Sequence, residues 1–202
     1  SYYDKIRLPE TSPMRDSLRI LNPLGEDTSI MSTTILPSML EILTRNYNYR
    51  NKCAALYEIG RIYLKRPDGL ADEPKIVSMG AYGPDMSFFR IKGWVEELCG
   101  GIGITKLHFT AERENPSYHP GRCARVYCGE TYIGVLGQIH PAVAENYGVD
   151  AELYCAELSF DALRALRGCI PVYKPLPRFP AVTRDIAVVC AADIPVGDMV
   201  EH

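Results

Sequence analysis

The sequence predicts an α+β fold, an antiparallel β-sheet flanked by helices. Strand-like runs follow one another through the second half of the chain, separated by tight turns. Helical periodicity is confined to a few stretches, chiefly 37–49 and 87–99. Few of the strands are separated by the crossover helices that a parallel sheet needs.

The 202 residues suffice for one sizeable domain plus a fragment of another, and 47% hydrophobic with 23% charged residues is an ordinary globular balance. A formal net charge of -3 lacks the basic footprint usual for nucleic-acid binding. No apolar run approaches the roughly 20 residues of a membrane span, and no basic-then-apolar leader opens the chain, so a cytoplasmic protein with no membrane partner is expected. The chain opens on Ser1-Tyr2-Tyr3-Asp4 without a Met and reads as the middle of something longer. Seven cysteines, an odd number with no C-x-x-C pair, argue for free thiols in a reducing compartment.

Residues 1–17, polar and carrying Pro9 and Pro13, read as a leading linker. Leu18 to Leu21 suits a short strand, closed by the turn residues Asn22-Pro23 and Leu24-Gly25. From Pro37, apolar residues at Met39, Leu40, Ile42, Leu43 and Tyr47 predict a helix over 37–49, with proline in the first turn where its missing N–H costs nothing. Ala54 to Leu64 and Lys75 to Tyr82 read as strands around the turn Pro67-Asp68-Gly69. Asp85 or Ser87 caps a helix over 87–99, and Gly100-Gly101 stops it by taking positive φ.

Leu107 to Ala111 is a strand. Arg122 to Cys128 is another, with Cys123 and Cys128 on opposite faces, and Gly129-Glu130 turns it into Thr131 to Gln138. A short helix starts at Pro141 and ends at Gly148, followed by a strand over Leu153 to Leu158 and a helix over Phe160 to Arg167. The core domain therefore runs from 18 to 170. Residues 171–180 form a proline-rich linker, and 181–202, with a strand over Asp185 to Cys190, are the severed start of another domain.

Chemistry is scarce. Neither the dinucleotide fingerprint nor the P-loop is present, and the glycines at 100–103 follow a helix instead of opening one. His108, His119 and His140 belong to no metal-binding pair and read as satisfied histidines. No nucleophile elbow is visible. The residues themselves predict no catalytic, cofactor or metal site.

Several segments, in order, resemble a known family. Asn22-Pro23-Leu24-Gly25 through Thr34-Ile35-Leu36-Pro37-Ser38-Met39-Leu40 is similar to the "NPL-x-acidic … T-x-LLPxLL" segment of the β subunit of bacterial-type phenylalanyl-tRNA synthetase. Leu56-Tyr57-Glu58-Ile59-Gly60-Arg61 resembles its "LFEIGR" strand, and Phe89-Arg90-Ile91-Lys92-Gly93-Trp94-Val95-Glu96 its "F-D-L-K-G-x-V-E" helix. His119-Pro120-Gly121-Arg122 and Gly134 to Pro141 match its "HPGR … G-x-x-G-x-x-HP" pair, while Pro177-Arg178-Phe179-Pro180 with Arg184-Asp185 resembles the opening of its anticodon-binding, ferredoxin-like domain. Ser32 departs from the arginine of many members.

The resemblance implies a class II aminoacyl-tRNA synthetase-like sheet whose ATP-binding arginines are lost, hence no enzyme in this domain alone. It implies a scaffold that assembles with a catalytic α subunit into an (αβ)2 heterotetramer. The full complex uses ATP and magnesium to attach phenylalanine to tRNA(Phe). The 37–49 helix resembles the interface element called motif 1, which nominates Pro37, Leu40, Leu43 and Tyr47 as partner-facing. Arg178 and Arg184 are nominated as tRNA contacts. The alternative is an active adenylate-forming ligase of the same fold with an unrecognised ATP site.

Overall fold

The computed structural model describes residues 2–25, 28–168, 179, 182–191, 194 and 196–201. The chain divides into two compact units, Ser1–Ile170 and Pro171–His202.

The first unit is built on eight strands: β1 (Ala54–Arg61), β2 (Leu64–Lys65), β3 (Ala71–Asp72), β4 (Lys75–Tyr82), β5 (Leu107–Ala111), β6 (Tyr118–Cys128), β7 (Thr131–Ile139) and β8 (Leu153–Ser159). Its helices are α1 (Tyr2–Lys5), α2 (Leu36–Asn48), α3 (Phe88–Gly101), α4 (Pro141–Asn146) and α5 (Phe160–Leu166), with a 3-10 turn at Pro13–Arg15. Six strands form one antiparallel sheet in the order β1-β4-β8-β7-β6-β5, and β2 pairs with β3 in a separate ribbon.

Register sorts the side chains onto two faces. Met79, Ala156 and Leu136 stand opposite one another on β4, β8 and β7, and the next row is Gly80, Cys155 and Gly137. The Cys155 face is covered by Tyr3, Ile6 and Leu8 of the N-terminal segment, by Leu36, Met39, Leu40 and Leu43 of α2, and by Val143 and Ala144 of α4. The Ala156 face is covered by Ile91, Val95 and Cys99 of α3 and Leu163 of α5. Each fully buried Leu or Ile contributes about 1.5–3 kcal/mol relative to exposure, so both layers are needed to hold the sheet. Close approach is made possible by glycine at two positions. A Cβ at Gly80 would lie 2.6 Å from Met39 Cγ of α2, and one at Gly134 of β7 would collide with the backbone carbonyl of Glu157 on β8.

The expected α+β architecture is the observed one, and α2 starts one residue before the predicted 37. Cys123 and Cys128 lie on opposite faces, in the Cys155-side and Ala156-side layers respectively. Several expectations differ, among them the strand over Leu18 to Leu21, of which only an isolated bridge between Arg19 and Ile30 forms. Residues 1–17 are not a free linker, because Tyr3, Ile6 and Leu8 are buried in the core and Ser117 donates from its hydroxyl to the Ile6 carbonyl at 2.6 Å. The 54–64 strand breaks after Arg61, where Ile62 and Tyr63 donate to the carbonyls of Pro74 and Ser32. Helix α3 runs through both Gly100 and Gly101, and the positive φ falls on Gly103 at 84°.

In the second unit, 182–190 are exposed and carry no secondary structure where a strand over 185–190 was expected; a strand exists only by pairing, and nothing among the described residues pairs with it. Helix α6 spans Val196–Glu201. No helix among the described residues is long and apolar enough to cross a membrane.

Candidate functional site

Helix α2 and the sheet face beneath it hold most of the polar features worth examining. Its N-cap residue, Ile35, has no capping side chain of its own. The cap comes from elsewhere: Thr34 Oγ1 accepts from Leu36 N–H at 3.2 Å, and Glu157 Oε1 on β8 accepts from Thr34 Oγ1 at 2.8 Å and from Ile35 N–H at 3.2 Å. A carboxylate there also faces the positive end of the helix dipole. Burial raises the Glu157 pKa above the usual carboxylate range, opposed by the Thr34 hydroxyl and the first backbone N–H groups of the helix.

The residues nominated as partner-facing point the other way. Pro37 is buried, and Leu40 and Leu43, both fully inaccessible, pack on the chain's own sheet. Tyr47 is half-buried; its ring meets Tyr82 edge-on at 5.9 Å and its hydroxyl donates to the Asp150 carbonyl at 3.4 Å. Helical spacing identified a buried face correctly but could not say what buries it, and the chain's own sheet does. The outward face of α2 carries Glu41, Ile42, Arg45 and Asn48, and Tyr49 at its C-cap is 77% exposed. The edge strand β1 presents its alternate residues Ala55, Tyr57, Ile59 and Arg61 on the sheet face opposite α2, where they are exposed; Tyr57 is 78% and Ile59 53% exposed. Sequence reasoning missed Tyr57 and Ile59, although the alternation of the strand held the signal once one face was known to be covered.

A second feature is a cleft of about 610 Å³ between the 6–14 segment and the face of β6, β7 and β8. At its side Arg125 Nε donates to Glu112 Oε2, and Glu112 Oε1 accepts from the N–H groups of Glu114 (2.7 Å) and Asn115 (3.2 Å). Burial pushes the Glu112 pKa up, but these donors outweigh it and hold the carboxyl below its usual value. Tyr118 lies on the floor with its hydroxyl buried and unpartnered. Arg125 is the single cation among the described residues that line the cleft.

The remaining candidates are engaged structurally. His119 Nδ1 accepts from Gly121 N–H at 3.0 Å, and His140 Nδ1 caps α4 by accepting from Ala142 N–H at 3.1 Å. Burial lowers the His140 pKa, helped by the nearby Arg7 and His119. His108 stacks on Tyr127 at 5.2 Å. Arg61 pairs with Glu73 at 2.9 Å. Arg184 is exposed, and Arg178 lies outside the described residues. Among the described residues no group of three or more His, Cys, Asp or Glu is placed to hold a metal ion.

An antiparallel sheet of this order between two helical layers is the fold of a class II synthetase-like domain. It matches pyrrolysyl-tRNA synthetase from Desulfitobacterium hafniense with a TM-score of 0.63, covering 81% of this chain and 57% of that one at 13% identity. The particular family follows from sequence. Residues 1–160 match the family model described as the phenylalanyl tRNA synthetase beta chain CLM domain. The chain is 42% identical over 199 residues to a phenylalanine–tRNA ligase β subunit from Clostridium acetobutylicum and 40% identical over 199 residues to one from Clostridium tetani. Each alignment covers 98% of this chain and 25% of the relative, so the chain spans about a quarter of their length. The chain belongs to the phenylalanyl-tRNA synthetase β chain family.

Proposed function

We propose that this domain is a non-catalytic scaffold within a phenylalanine–tRNA ligase, holding the β chain against a catalytic α chain in an (αβ)2 assembly. The observation that carries the reading is the exposed apolar edge strand: Tyr57 and Ile59 on β1 stand in solvent on the sheet face away from α2, and the outer edge of β1 has no partner among the described residues, while Tyr49 is exposed at the C-cap of α2. Aromatic side chains on an open sheet edge are the composition of an interface more than of a free surface. The nominated contact set thus moves from Pro37, Leu40, Leu43 and Tyr47 to this outward set.

The cleft supports the non-catalytic part. Adenylate formation needs cations that neutralise nucleotide charge, and the guanidinium at the cleft is already committed to Glu112. ATP and magnesium then act in the α chain, in the cytoplasm. In this reading residues 181–202 begin an anticodon-binding domain, and Arg178 and Arg184 are its candidate contacts to tRNA phosphate.

The test is light scattering after size exclusion of the full-length β chain with its α chain, wild type against Tyr57→Ser/Ile59→Ser and Tyr49→Ser. Wild type is expected to form the heterotetramer and the edge variants, still folded, to lose at least about tenfold in affinity, as truncated aromatic anchors do. Undiminished assembly of the variants would sink the assignment of this edge. Stabilisation of the domain by ATP, magnesium and phenylalanine, abolished by mutating cleft residues, would sink the non-catalytic reading in favour of an active ligase.

A further inference from the structure

We infer that the α chain adds a β-strand to the outer edge of β1, so that the six-stranded sheet continues from this chain into its partner. This deepens the proposed scaffold role and rests on it. In an antiparallel pair, opposed residues either exchange both backbone hydrogen bonds or turn both groups away from each other. Ile62 N–H donates to the Pro74 carbonyl at 3.1 Å, which fixes the alternation along the register from Ala54 opposite Tyr82 to Arg61 opposite Lys75. Leu56, Glu58 and Gly60 therefore bond to β4, while Ala55, Tyr57, Ile59 and Arg61 turn their N–H and C=O groups outward. The next outward donor has the same parity: Tyr63 N–H donates to the Ser32 carbonyl at 2.8 Å. The chain thus closes its own edge at Tyr63 and leaves 55–61 open among the described residues.

The two edges of the sheet differ in how they meet solvent. Strand β5 is five residues long and runs straight into Glu112-Arg113-Glu114, and the Lys92 ammonium lies 4.4 Å from the centre of its Phe109 ring. Short edges and charge are how a sheet discourages pairing. Strand β1 is eight residues long, pairs with β4 without a break in register and contains neither proline nor lysine. Its outward-turned residues are also the ones with exposed side chains, Tyr57 and Ile59 among them. An extended segment meets both features at once. Its backbone takes up the open row, and its alternate side chains come to lie about 5 Å from Tyr57 and Ile59 as cross-strand neighbours. A helix laid on the same patch would cover the side chains and leave the backbone groups buried without partners. Pairing of the 55–61 stretch with a second copy about its midpoint would set two Glu58 carboxylates opposite each other, which is unfavourable, so the strand is assigned to the α chain.

The experiment is hydrogen–deuterium exchange read at single residues on the full-length β chain, free and assembled with its α chain, with light scattering on the same samples. The amides of Leu56, Glu58 and Gly60 are expected to be protected in both states. Those of Ala55, Tyr57, Ile59 and Arg61 are expected to exchange fast in the free chain and to slow by about a hundredfold or more on assembly. Assembly with these amides still exchanging fast overturns strand addition and leaves the scaffold reading standing, whereas failure to assemble overturns both. Protection already present in the free β chain also overturns the inference: the occupant is then a second copy if protection fades on dilution, and a segment of the β chain itself if it does not. Two variants read the same edge by affinity. Tyr57→Ser removes the side chain and keeps the N–H, and Tyr57→Pro removes both without taking a bond from β4. Tyr57→Pro is expected to bind the α chain about tenfold more weakly than Tyr57→Ser, and equal affinities overturn the inference. Should Tyr57→Pro fail to fold, the exchange pattern decides alone.

Discussion

Arg50 sits at φ 61° immediately after the cap of α2, with its N–H donating to Tyr47 O at 2.8 Å and Asn51 N–H donating to Asn46 O at 3.2 Å. That pair of bonds closes the helix in a left-handed turn that normally takes glycine. Arg50→Gly is expected to raise stability by about 0.5–1 kcal/mol, read as a shifted urea midpoint at constant slope. Glu112 behaves differently, because its carboxyl is 6% exposed and is held low against the opposing pull of burial. A lowered folded pKa contributes stability that is present above the unfolded value and lost as pH falls through the folded one. Arg125→Met, which keeps the aliphatic stem, is expected to cost about 1–2 kcal/mol at neutral pH, the gap to wild type closing as pH falls below the usual glutamate range in acid titrations followed by circular dichroism. Neither residue was singled out by its sequence context. Gly100 and Gly101 looked like the natural left-handed stop, yet Gly103 takes that conformation, since the α3 ladder continues as far as Gly101.

At the level of elements, periodicity made most of the fold legible. Strand β5 was expected at 107–111 and lies there, and α2, α3, β4 and β8 fall within a residue or two of their predicted bounds. Strand β6 starts four residues earlier than the alternation suggested, because His119-Pro120-Gly121 lies within it and its register against β7 shifts between Tyr118 and Cys123. The 3–8 segment was illegible for another reason: Tyr3, Ile6 and Leu8, among charges and before a proline, form no period, and only the hollow between α2, α4 and the sheet tells them where to go. The partner-facing assignment on α2 failed in the same way, since spacing reveals a face without revealing its cover. Leu40→Ala or Leu43→Ala is accordingly expected to cost 2–5 kcal/mol of folding stability on the scale of about such core truncations, measured by thermal or chemical unfolding of the domain. The outward variants at Tyr57 and Ile59 should leave stability within about 0.5 kcal/mol and change assembly instead.

For the whole molecule, the order β1-β4-β8-β7-β6-β5 was beyond any local signal. Adjacent strands in sequence pair as expected in β5-β6-β7, but the insertion of β8 between β4 and β7 joins residues some 75 positions apart, such as Met79 and Ala156. That insertion has a consequence for biosynthesis. While the chain is still emerging from a ribosome, β1 with β4 and β5 with β6 and β7 are two half-sheets, each with a raw inner edge and half of each apolar layer. The start of α2 also waits, since its cap arrives only with Glu157 on the same late strand. Nascent chains stalled before Leu153 should therefore be sensitive to protease and bound by chaperones, and those extended past Ser159 should become resistant in a single step.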